Sequence, residues 1–164
     1  MSRHATGRTQ VDKVRYNVLL VDDDLVQIDL ARCAASETCP EIELTAVAGG
    51  DAVLDWFSTC FRKNEQVPHI ILLDLKLPKL DRLAVLRKLR GYDATSEIPI
   101  VVFSAEYTQD DVLTSYKAGA NSFVAKPVDL AGYAELFRER LAYWMHAQQS
   151  NLISSAQDGA TERI

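Results

Sequence analysis

The chain has no positive charge to spare: 18 Lys and Arg face 23 Asp and Glu, a formal net charge of −5. Binding to nucleic acid needs clustered Lys and Arg against phosphate, and this balance argues against it. No apolar run reaches the length of a membrane span, and the opening MSRHATGRTQ has no hydrophobic signal-peptide region. No membrane partner is expected. Cysteine is scarce too. Cys33, Cys39 and Cys60 are odd in number and lack paired metal-ligand spacing, which argues against a disulfide framework and fits reduced thiols in a cytoplasmic protein. His4, His69 and His146 are scattered and make no ligand set. With 7 Gly, 5 Pro and no recurring unit, the chain is neither low-complexity nor a repeat array.

What it does hold is core. Over 164 residues, 48% hydrophobic and 25% charged residues suit one well-packed domain. Short aliphatic runs at 17–21, 42–47, 69–74, 99–104 and 122–126 have strand length and β-branched character. Between them lie amphipathic segments, such as the one carrying Leu83, Leu86, Leu89 and Arg90 with Arg87 and Lys88 on its wet side. Thr108 with Asp111 forms a capping-box pattern, and Gly119 suits a left-handed helix stop. Asp81 can cap a helix beginning at Arg82, and Asp129 one beginning at Leu130. Five strands alternating with five helices predict a doubly wound α/β domain over 16–147, a five-stranded parallel sheet with helices on both faces. A flexible arm at 1–15 and a mobile tail at 148–164 are expected to flank it. The last helix carries Leu130, Tyr133, Phe137, Leu141 and Trp144 in one stripe, which serves the core alone or the core and a partner helix.

Ligands in open α/β sheets bind beyond the carboxyl ends of the strands. There the sequence delivers Asp22-Asp23-Asp24, Asp74, Ser104 and Lys126-Pro127. Taken singly each has a plainer use, as a helix cap, a turn residue, a local hydrogen-bonder or a surface charge. Taken together they crowd carboxylates at one edge, and such crowding raises a pKa unless a cation intervenes. A hard divalent ion, Mg²⁺ by preference, suits oxygen ligands and leaves room for a phosphoryl oxygen. Asp74, at the end of the most buried run, then becomes a candidate nucleophile towards phosphorus, with Ser104 and Lys126 as partners for phosphoryl oxygens.

VLLVDDD, ILLDLKLP, VVFSAE and GANSFVAKP together resemble the receiver domain of two-component response regulators. The spacing agrees: 30 residues from Asp74 to Ser104 and 22 from Ser104 to Lys126. The resemblance implies a flavodoxin-like fold and a phosphoacceptor role for Asp74, supplied by the phosphohistidine of a sensor histidine kinase. It implies Asp23 as a direct Mg²⁺ ligand, Asp22 acting largely through water, and the backbone carbonyl of Lys76 completing the set. It further implies a switch hydroxyl at Ser104, a switch aromatic at Phe123 and a cis bond at Lys126-Pro127. Lys76 and Glu106 match the positions that tune dephosphorylation, and an ion pair between them would slow hydrolysis. Arg82 departs from the usual glycine, which puts loop contacts between Pro78 and Leu83 in question.

Receivers are not counted as enzymes. With no effector domain read after residue 147, a stand-alone regulator is expected, acting by protein contact or as a phosphate sink. Trp56-Phe57 and the segments DDVLTSY and ELFRERLAYWM resemble single-domain regulators partnered with bacterial phytochrome kinases. Those form homodimers through the fourth helix, fifth strand and fifth helix. Two other readings compete. A haloacid-dehalogenase-like phosphatase needs a second aspartate two positions after the nucleophile, where this chain has Lys76. A phosphorylation-independent interaction module of receiver shape would lack the acids or the lysine, which are present.

Overall fold

The computed structural model describes residues 15–76 and 83–147. The expected arm at 1–14 and tail at 148–164 lie outside the described residues, as do Asp81, Arg82 and most of the loop from Pro78. The chain runs β1 (Tyr16–Val21), α1 (Leu25–Thr38), β2 (Ile42–Val47), α2 (Gly50–Lys63), β3 (Ile70–Asp74), α3 (Ala84–Gly91), β4 (Ile100–Ser104), α4 (Gln109–Lys117), β5 (Ser122–Ala125) and α5 (Leu130–Glu135). After α5 the helix widens into a π-helical stretch over Leu136–Arg140 and stays helical to 147. All strand pairings are parallel, in the order β2-β1-β3-β4-β5. No described helix is long and apolar enough to cross a membrane.

Alternation along each strand divides the core in two. Val18, Leu20, Ile70, Leu72, Val101 and Phe103 pack with Ile28, Tyr133 and Phe137 on the α1/α5 face. Leu19, Val21, Ile71, Leu73, Ile100 and Val102 pack with Val53, Phe57, Leu86 and Leu89 on the other. Because both faces are covered, β3 and β4 are buried at every position and read as unbroken aliphatic runs. The edge strand β2 exposes Glu43 and Thr45 instead.

Local punctuation follows the sequence in three places. Thr108 and Asp111 form the reciprocal box at the start of α4, Gly119 takes φ 110° after it, and Asp129 accepts the Gly132 N–H at the start of α5. The α3 helix begins at Ala84 with no side-chain cap, and the cap expected at Asp81 with a start at Arg82 lies outside the described residues. The structure differs at Arg90, which the helical spacing groups with apolar residues. Arg90 donates to the carbonyls of Gly119, Ser96 and Ile98 at 2.8, 3.0 and 2.8 Å and to Asn121 Oδ1 at 2.6 Å. Its fork fastens the loops at the amino ends of β4 and β5, opposite the site. In the last helix Tyr133, Phe137 and Leu141 are buried, while Leu130 and Tyr143 are exposed and Trp144 is half-buried.

Candidate functional site

Register assembles the site. Val21 pairs with Leu73, so Asp22 and Asp74 follow side by side where the strand order reverses between β1 and β3. Asp74 pairs with Phe103 and Ser104 with Ala125, which brings Ser104 and Lys126 to the same edge. Side-chain parity then sorts them. Asp22, Asp74 and Lys126 continue the α1/α5 face of their strands, whereas Ser104 continues the opposite face.

The three consecutive acids have three different environments. Asp22 is 0% exposed, and its Oδ1 accepts the Asp24 N–H at 3.0 Å. Asp23 is exposed. Asp24 caps α1, its Oδ1 accepting from Val26 and Gln27 N–H at 3.0 and 3.4 Å. Asp74, 4% exposed, accepts the Lys76 N–H at 3.0 Å on Oδ1. Lys126 lies between the two buried carboxylates, its Nζ 2.7 Å from Asp22 Oδ2 and 3.0 Å from Asp74 Oδ2. The aromatic face of Phe103 lies 5.4 Å from the ammonium. Toward Asp22 the contact is ionic and outside hydrogen-bonding geometry, so Oδ2 of Asp22 has no hydrogen-bond partner among the described residues.

Charge is not balanced by one lysine. Burial pushes the Asp22 carboxyl above the usual carboxylate range and Asp74 adds to the rise, while Lys126 and the Asp24 amide pull it down. Burial works against charge on Lys126 as well, but the two carboxylates outweigh it and hold its pKa above the ordinary lysine value. Carboxylate oxygens of Asp22, Asp23 and Asp74 all lie within 4.8 Å of one another. Three hard oxygen donors, one of them a buried oxygen with an ionic contact but no hydrogen bond, fit a small divalent cation.

The raised Asp22 pKa sets a sign. The stability associated with its protonated form is full below 3.8, the ordinary value, and is lost as pH rises through the folded-state pKa. Asp22→Asn, which cannot ionise, is therefore expected to raise the metal-free urea midpoint at pH 7. The gain should close as pH falls towards 3.8. An unchanged or lower midpoint at pH 7 would mean that Lys126 already compensates Asp22 in full.

Ser104 is buried and its hydroxyl donates to the Glu106 carbonyl at 2.9 Å, so in this state it is a local hydrogen-bonder. Lys76 Nζ and Glu106 Oε2 meet at 3.0 Å across the rim, and this lysine holds the Glu106 carboxyl below its usual range. Phe123 is half-buried, and its ring packs edge-on against Tyr107 at 4.9 Å between centroids. The Lys126-Pro127 bond is trans, as are all described peptide bonds, which corrects the expected cis junction. The lysine reaches both carboxylates from this backbone. The sequence reading missed Tyr107 as the contact of Phe123 and Gln27 as the partner of the buried Tyr133 hydroxyl. The second carried a signal: a fully buried phenol needs a hydrogen-bond partner.

The family model described as the response regulator receiver domain matches residues 18–138. The chain belongs to this family. It is 27% identical over 129 residues to the response regulator Rcp1 of Synechocystis sp., covering 78% of this chain and 88% of Rcp1. The Mn²⁺-bound structure of Rcp1 superposes with a TM-score of 0.67, covering 79% of this chain and 94% of that one. The phosphorylated cyanobacterial phytochrome response regulator RcpA gives 0.65 at 26% identity, with 80% and 94% covered. The bacteriophytochrome response regulator RtBRR gives 0.61 at 34% identity, with 73% and 74% covered. The receiver thus has the flavodoxin-like fold of its relatives, several of which are phytochrome response regulators.

Proposed function

We propose that this receiver takes a phosphoryl group from the phosphohistidine of a sensor histidine kinase onto Asp74, in a step that depends on Mg²⁺. The observation that carries the reading is the setting of Asp74, nearly buried at the end of β3, with carboxylate oxygens of Asp22 and Asp23 within 4.8 Å and the Lys126 ammonium at 3.0 Å. A carboxylate oxygen of Asp74 attacks phosphorus in line, the phosphorus–nitrogen bond breaks, and the electron pair leaves with the imidazole. Asp22, Asp23, Asp74 and the Lys76 carbonyl would hold the cation, which would supply positive charge against the phosphoryl oxygens. Lys126 exchanges Asp74 for a phosphoryl oxygen. Ser104 leaves the Glu106 carbonyl for another, which frees the Glu106-Tyr107 segment against which Phe123 rests. The Lys76–Glu106 pair stands at the rim and slows attack by water.

The phytochrome character of its relatives supports a phytochrome-type kinase as the donor. Exposed Tyr107, Leu113, Tyr116 and Tyr143 on the α4-β5-α5 side support a homodimer through that face. Output follows by protein contact or by acting as a phosphate sink, and the protein is a signalling component, not an enzyme. Intact-mass measurement after incubation with acetyl phosphate and Mg²⁺ is expected to show one phosphoryl adduct, absent with EDTA and decaying faster in Lys76→Ala. No adduct on the wild type would favour the phosphorylation-independent interaction module. Sedimentation with and without the adduct tests the dimer, which a monomer in both states would refute.

A further inference from the structure

The hydroxyl of Tyr133 is a polar group with no part in phosphoryl transfer. The side chain is buried in the α1/α5 core, yet its Oη donates to Gln27 Oε1 at 2.7 Å. The two partners sit in the first turns of the helices that follow the site's two loops. Gln27 is the third residue of α1, after Asp22–Asp24, and Tyr133 the fourth of α5, after Lys126. In an Asp-x-x-Gln capping box, the glutamine would reach back to the N–H of the capping residue. Here the Asp24 N–H is already given to Asp22 Oδ1, which leaves the Gln27 side chain free to turn inward. Burial, with Asp22, Asp74 and Asp24 nearby, holds the phenol pKa well above its ordinary value, in keeping with the hydroxyl's place as the donor to Gln27 Oε1.

We infer that Tyr133 and Gln27 are a positioning pair, whose partly buried hydrogen bond holds the first turn of α1, and with it the Asp22–Asp24 acids, at the spacing a divalent cation needs. The loop is closed on both sides. Lys126 joins β5 to Asp22 and Asp74 above, and Tyr133 joins α5 to α1 below. Without the lower link, the acids must be drawn into register at the expense of binding. The inference rests on the reading of Asp22, Asp23 and Asp74 as the cation site.

Calorimetric titration of the unphosphorylated protein with Mg²⁺ tests it. Tyr133→Phe and Gln27→Met are each expected to weaken binding by about three- to tenfold, the scale of one intramolecular hydrogen bond. The double variant should lose no more than either single one. The acetyl phosphate reaction should need correspondingly more Mg²⁺ while keeping its rate at saturation. Variants with a lowered unfolding midpoint but unchanged Mg²⁺ affinity would overturn the inference and leave a packing contact. Additive losses would overturn it as well. A wild type that binds no Mg²⁺ at all would instead overturn the cation reading on which it stands, a failure separable from the others.

Discussion

Asp74→Asn is expected to carry no phosphoryl adduct after incubation with acetyl phosphate and Mg²⁺, a loss of at least about a thousandfold. The substitution preserves shape. An asparagine oxygen still accepts the Lys76 N–H that Oδ1 accepts at 3.0 Å, and Lys126 keeps Asp22 as its second carboxylate. What disappears is the anionic oxygen that attacks phosphorus, because an amide oxygen is a poor nucleophile. The neighbouring acids do not replace it. Asp22 is buried with Lys126 against it, and Asp24 is committed to capping α1. Intact mass supplemented by peptide mapping reads the result. Wild-type labelling of Asp74→Asn, or an adduct mapped to Asp22 or Asp23 in the native chain, would remove Asp74 as phosphoacceptor.

The strands and the shared edge were legible because burial on both faces leaves unbroken aliphatic runs, and the residue after each run must emerge at one end of a parallel sheet. Asp74, Ser104 and Lys126 could be placed by that rule alone. Division of labour among Asp22, Asp23 and Asp24 could not. Three identical side chains in a row differ only in which face each one meets, and that depends on the register of β1 against β3. The direction of the Ser104 hydroxyl was hidden for a similar reason, since its acceptor is a backbone carbonyl presented by the following turn. Arg90 misled because its aliphatic stem sits at apolar spacing while its guanidinium serves carbonyls of the loop that follows its own helix and, farther along the chain, the Gly119 carbonyl and the Asn121 amide. Helical spacing reports which way a side chain leaves the backbone, not what meets its tip.

Removing the lysine should expose what the acids cost the fold. Lys126→Ala is expected to lower metal-free stability at pH 7 by about 3 kcal/mol, because truncating one member of a buried ion pair strands its partners. Asp22 and Asp74 are 0% and 4% exposed, and no other ammonium or guanidinium touches either among the described contacts. For a domain of this size that corresponds to a fall of roughly 10 °C in the unfolding midpoint. Two rescues follow from the cause. Saturating Mg²⁺ should recover part of the loss, since a divalent cation meets the same carboxylates, and lowering the pH should recover part by protonating Asp22, whose pKa is already raised. Lys126→Met separates charge from packing. It keeps a stem near the Phe103 ring, 5.4 Å from the native ammonium, so the difference between the Met and Ala variants measures the contact and the remainder measures the charge. Both variants should also accept phosphoryl groups at least about tenfold more slowly even with Mg²⁺ saturating, because the ammonium that would pair with a phosphoryl oxygen is gone. Near-native stability in Lys126→Ala, unresponsive to Mg²⁺ and pH, would show that the acids reach water without moving the fold. The lysine would then serve phosphoryl transfer alone.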